Sequence, residues 1–134
     1  MSGAVDLMVV NRLAWAATAM LVAVATPTRV DAQTDAPPPG MAEYQAKCGG
    51  CHSLDANRIG PMHRGIVGRR VASAPGYDYS AALRKLGGQW TPARLDQWLQ
   101  GPQKLAPGSK MFLTVPDPAT RRAIIAYLVA NPAR

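Results

Sequence analysis

The chemistry of this chain is concentrated in five residues, Cys48-Gly49-Gly50-Cys51-His52. Two thiols three positions apart, followed at once by a histidine, form the pattern on which a c-type haem is attached. The thiols can form thioether bonds to the two vinyl groups on one edge of the porphyrin. The histidine is then held beneath the ring, where a neutral imidazole binds iron. The two glycines between the cysteines keep side chains away from backbone that must press against the macrocycle. No other cysteines occur in the 134 residues, so no disulfide framework exists beyond a Cys48–Cys51 pair.

Two other chemistries compete for these residues. A redox dithiol of the thioredoxin kind also uses Cys-x-x-Cys, but that fold alternates strands with helices, and this chain is poor in the β-branched runs of a parallel sheet. A zinc site would have to recruit Cys48, Cys51, His52 and His63, and two ligands adjacent in sequence strain a tetrahedral site. Haem iron needs a second axial group or an open position. Met111, offered by the turn Pro107-Gly108-Ser109-Lys110, is the leading candidate. Met62 and His63 are alternatives, although a methionine by itself is more often a gap-filler in a core and His63 reads as a partly exposed side chain.

The elements that must position these residues are short. Met41 to Lys47 reads as a helix delivering Cys48. Residues 53–79 hold many Gly, Pro and Arg without a sustained period and read as loops wrapped around something. Ser80 to Leu86 forms a short helix that stops at Gly87-Gly88. Thr91-Pro92 places a cap before a proline at the first helical position and opens a helix through Leu99, ended by Gly101-Pro102. Asp117-Pro118 repeats the device for a last helix with the apolar stripe Ile124, Ile125 and Leu128, which stops before Asn131-Pro132. The expected fold is all-α, three to four short helices and long loops around one covalently bound haem. A domain of this size, with a single Phe and many Gly and Pro, has little core of its own, and a large apolar cofactor supplies a centre.

Residues 1–32 read as an export signal. Arg12 precedes an apolar run from Leu13 to Ala25 broken only by Thr18, shorter than the roughly 20 residues a membrane span needs. Val30-Asp31-Ala32 offers a cleavage point, and an uncleaved anchor is the alternative. Residues 33–40, rich in proline, form a disordered leader, and residues 41–131 form the domain. Haem is attached to c-type cytochromes outside the cytoplasm, so the expected location is the periplasm.

With these motifs assembled, the chain resembles the class I c-type cytochromes, particularly the mitochondrial and α-proteobacterial branch. The resemblance runs from about Tyr44 to Leu128 and includes Cys48-Gly49-Gly50-Cys51-His52, Gly60-Pro61, Gly68-Arg69, Pro75-Gly76-Tyr77-Asp78-Tyr79-Ser80, Trp90, Pro107 to Met111 and Ile125-Ala126-Tyr127-Leu128. It implies haem c on Cys48 and Cys51, with His52 and Met111 as axial ligands. It implies a hydrogen bond from His52 to the carbonyl of Pro61, with Arg69, Tyr79 and Trp90 around the haem propionates. It also places the first helix, with Gly49 nearby, across the last helix near Tyr127. Lys47, Arg58, Lys104 and Lys110 match positions that ring the exposed haem edge. Several features depart from the pattern. Trp98 stands where the family has a tyrosine near the methionine sulfur, and an indole donates but does not accept. Leu105 and Leu113 occupy positions that are often aromatic, and the segment from His52 to Pro61 is short.

An iron with both axial positions filled exchanges one electron with little rearrangement, and a methionine ligand raises its potential. Nothing else resembles acid–base machinery. The expected function is therefore a soluble, monomeric electron carrier and not an enzyme. The alternative is a haem subunit of, or a partner dedicated to, a periplasmic dehydrogenase or peroxidase. The net charge of +7 suits docking on acidic surfaces of redox complexes, such as a quinol-oxidising complex, a terminal oxidase or a dehydrogenase. It does not suit nucleic acid, because Lys and Arg are spread along the chain and export removes the target. Membrane contact would be transient or through the uncleaved anchor.

Overall fold

The structure, a computed structural model, describes residues 36–134. The expected signal segment and most of the leader lie outside the described residues. Five helices follow in order, α1 (Met41–Lys47), α2 (Ala81–Leu86), α3 (Pro92–Gln100), α4 (Pro102–Leu105) and α5 (Pro118–Val129), with no strand among the described residues. The loop 53–79 is stitched to the segment before α3 by a single antiparallel bridge between Arg70 and Gln89.

Side chains that accept backbone N–H groups start three of the helices. Ser80 Oγ accepts from Leu83 N–H at 3.2 Å, Thr91 Oγ1 from Arg94 N–H at 3.1 Å, and the Asp117 carboxylate from Thr120 N–H at 2.7 Å. Each such cap is worth about 1 kcal/mol. α4 is the one element the sequence reading assigned to loop. Gly101 and Pro102 do end α3, but Pro102 also sits at the first position of a new single turn, where its missing N–H is no loss.

α5 is the element on which α1 and α3 both pack. Ile124 is completely buried, and Tyr127 and Leu128 lie in the same core as Tyr44, Leu95 and Leu99. Arg121 of α5 is buried but partnered through Nε and Nη1. Its Nε donates to Asp96 Oδ1 at 2.7 Å, and Nη1 donates to the carbonyls of Val115 and Pro116. That hydrogen bond holds the Asp96 carboxyl below the ordinary carboxylate range. A buried arginine is tolerable only when partnered in this way.

The crossing of α1 on α5 does bring Tyr44 and Tyr127 together, with ring centroids 4.9 Å apart. The close approach is made by Gly40, not by Gly49. A Cβ on Gly40 would lie 1.9 Å from the carbonyl oxygen of Ala123, whereas one on Gly49 would meet only Gln45 of its own helix. Gly40 also has φ +79°, a conformation that side-chain-bearing residues avoid. Gly40→Ala should therefore cost at least about 2 kcal/mol, strain and clash together, read as a lower denaturation midpoint of the holoprotein.

Candidate haem site

The end of α1 sets the first part of the site. Cys48 caps the helix and is buried, Cys51 is exposed, and both are free thiols. The turn between them is fixed by the Cys48 carbonyl, which accepts from the N–H groups of Cys51 (3.0 Å) and His52 (2.8 Å). Burial, and then the neighbouring Cys51, push the Cys48 thiol up to about 11. A redox dithiol depends on the opposite shift, so this environment argues against thiolate redox chemistry.

His52 is oriented by the loop that follows. Its Nδ1 lies 2.8 Å from the carbonyl oxygen of Pro61. A carbonyl only accepts, so Nδ1 carries the proton and the Nε2 lone pair is left for a metal. Burial lowers the pKa of this imidazole, opposed in part by the Pro61 bond. Gly60 makes room for it: a Cβ there would sit 2.1 Å from His52 Cε1.

A second stretch of wall is the loop between α4 and α5. Met111 lies there with its sulfur 3.1 Å from Nε1 of Trp98, so the indole N–H donates to the thioether. Gln103 organises the loop. Its side-chain nitrogen donates to Ser109 O, Ser109 Oγ and Met111 O at 2.8, 2.9 and 2.8 Å, and its side-chain oxygen accepts from Gly108 N–H at 3.1 Å. Lys110 ties the same loop to the segment before α2 through Asp78, with Nζ 2.9 Å from Oδ2 and 2.6 Å from the backbone carbonyl.

Cys48, Cys51, His52 and Met111 all open on one cavity, whose walls include Ile66, Leu95, Trp98 and Leu99. Protein interiors of this size are normally closed by their own side chains. The donor set fits covalent haem c: two thiols at one end, a neutral imidazole with a fixed tautomer, and a thioether sulfur. The three residues expected near the propionates also line the cavity. Tyr79 accepts the Ala74 N–H at 3.1 Å, which leaves its own O–H to donate. The Trp90 indole N–H has no acceptor among the described residues and is not sealed from the cavity. Arg69 directs two nitrogens to the carbonyls of Met62 (2.7 Å) and Arg64 (3.2 Å).

The expected docking cations divide. Lys47 and Lys110 line the cavity, whereas Arg58 and Lys104 do not. Arg58 is exposed and donates to the Gly49 carbonyl at 2.7 Å. Lys110 is paired with Asp78, while Lys47, Arg58 and Lys104 form no ion pair among the described residues. Ile59 and Phe112, which line the cavity with Lys47 and Lys110, are 76% and 74% exposed.

Sequence reasoning missed Gln103 and the contacts of His63. His63 is partly exposed, and it lines the cavity, stacked on His52, with Tyr44 at its Nδ1. Tyr77 adds another unforeseen contact, donating to the Ile59 carbonyl at 2.8 Å. Nothing in the local sequence marks His63 or Tyr77, whose partners Tyr44 and Ile59 lie 19 and 18 residues away, and Gln103 acts only once the loop to Met111 has folded around it.

A fold of short helices around such a cavity defines a small c-type cytochrome domain, and comparison with known proteins gives the family. The chain is 40% identical over 95 residues to "Cytochrome c-type cyt cy" of Rhodobacter capsulatus, covering 69% of this chain but only about half (48%) of that protein's length. It is 39% identical over 97 residues to cytochrome c2 of Agrobacterium tumefaciens, covering 67% of this chain and 86% of the relative. Its structure matches cytochrome cH from Methylobacterium extorquens with a TM-score of 0.65 at 42% identity, covering 68% of this chain and 94% of the other. No family model matches the chain. The chain belongs to the class I cytochromes c, electron carriers with one covalent haem c and not enzymes.

Proposed function

We propose that the chain is exported and shuttles single electrons between periplasmic or membrane redox complexes, with haem c on Cys48 and Cys51 and iron held by His52 and Met111. The carrying observation is that His52, pinned through Nδ1, and Met111, holding an indole N–H on its sulfur, open on the same cavity as both thiols. When bound, the haem supplies a one-electron couple, and a thioether ligand favours its reduced state. The protein's part is to hold both ligands still between the two states. Pro61 and Gly60 do so for His52, and Gln103, Trp98 and the Lys110–Asp78 pair do so for Met111. Tyr79, Trp90 and Arg69 offer donors to the propionates, which are costly to bury unpaired.

Export is supported by the apolar run before residue 26 and by the attachment chemistry, which belongs outside the cytoplasm. No helix among the described residues is long and apolar enough to cross a membrane. Docking would use the face where Ile59 and Phe112 are exposed, with Lys47, Arg58, Lys104 and Lys110 as the surrounding cations and an acidic surface on the partner. Attraction of that kind speeds encounter while leaving each complex short-lived.

Two outcomes follow. Oxidation of the ferrous protein by bacterial membranes carrying a terminal oxidase should slow as salt shrinks the Debye length from about 30 to 8 Å. Lys47→Glu should slow it at low salt, and a rate indifferent to both salt and Lys47 would overturn the docking reading. Trp98→Phe removes the donor on the Met111 sulfur and leaves a stronger donor to ferric iron. The midpoint potential should fall by a few tens of millivolts, on the order of the ~1 kcal/mol of one hydrogen bond; an unchanged or higher potential in a redox titration would contradict the assignment.

A further inference from the structure

We propose that His63 is a positioning residue that fixes the plane of the His52 ring. The inference rests on the reading of His52 as an iron ligand, and on geometry that reading does not use. The two imidazoles are stacked, with centroids 4.0 Å apart and planes inclined by only 19°. His63 is itself held from behind, its Nδ1 3.2 Å from the hydroxyl of Tyr44 and its ring edge-on to the tyrosine at 5.7 Å.

The contact supplies what the Pro61 bond lacks. An imidazole held at Cβ and at Nδ1 can still tilt about the line joining those two points. A flat ring laid parallel against its face opposes that tilt. A flat ring does so only when its own rotation is fixed, and the Tyr44 hydroxyl fixes it. The backbone of His63 is anchored as well, its N–H donating to Ser53 O and its carbonyl accepting from Ile66 N–H, each at 2.9 Å.

A chain of rigid contacts therefore runs from the helix crossing to the iron ligand. Tyr127 of α5 packs on Tyr44 of α1 at 4.9 Å, Tyr44 holds His63, and His63 faces His52. An aliphatic side chain at position 63 would fill the same space but offer neither a flat face nor a hydrogen-bonding partner for Tyr44.

The plane of an axial imidazole sets the g anisotropy of low-spin ferric haem, so electron paramagnetic resonance of the holoprotein reads it directly. In His63→Leu the largest g value should shift or broaden while the far-red methionine–iron band persists. His63→Phe, which restores a ring, should move the signal back toward wild type. Tyr44→Phe, which keeps His63 but frees its rotation, should broaden it. A wild-type g value and line width in His63→Leu would overturn the proposal; should that variant fail to load haem, an unchanged spectrum of Tyr44→Phe would overturn it instead. Absence of any low-spin signal in the wild-type protein would refute the six-coordinate His52–Met111 reading on which the inference rests, a result distinct from an unchanged variant.

Discussion

His52 can meet a metal through only one nitrogen, because its Nδ1–H is committed to the carbonyl of Pro61. That single hydrogen bond fixes a tautomer and an edge of the ring, and it dictates how the surrounding chain must run. Gly60 has to lack a side chain, because a Cβ would enter the ring. The segment from Cys51 to Pro61 has to fold back tightly, which it does through Gly60 N–H to the Cys51 carbonyl at 2.8 Å. The pinned imidazole and the two thiols thus form one rigid unit at the end of α1, and the rest of the domain is arranged to face it.

Helices alone could not hold that arrangement. α1 is two turns long and α2 shorter still, lengths at which isolated helices are not stable in water. They persist because α5 gives α1 and α3 a common surface, and because the loop carrying Met111 is tied at several points to Gln103, Trp98 and Asp78. The design spends polar contacts on holding ligands and leaves much of the cavity wall, including Ile66, Leu83, Leu95 and Leu99, apolar. Such a site suits electron transfer, in which the geometry should change little between oxidation states, better than substrate chemistry, which needs an accessible position.

Much of this was legible in the sequence because its signals are local. Ser80, Thr91-Pro92 and Asp117-Pro118 mark helix starts by their own hydrogen-bonding capacity, and the helices begin beside them. Cys48, Cys51 and His52 point to haem by their spacing, and the scarcity of strand-forming runs argues against the rival dithiol. α4 was not legible, since a helix of one turn has no period to read. The role of Gln103 was hidden for another reason: a glutamine becomes a clamp only when a loop folds around it. The contacts of His63 were hidden because residues 53–79 show no period to read, and its position depends on Tyr44, nineteen residues earlier. At Trp98 the sequence showed that an indole only donates, while the structure was needed to show that it donates to Met111.

The central claim is that one covalent haem is held between His52 and Met111. The most direct measurement is the visible spectrum of the purified holoprotein, oxidised and reduced, followed by addition of carbon monoxide to the ferrous form. The account predicts a six-coordinate, low-spin haem with the far-red methionine–ferric band and no reaction with carbon monoxide. A high-spin spectrum, or ready binding of carbon monoxide, would contradict it.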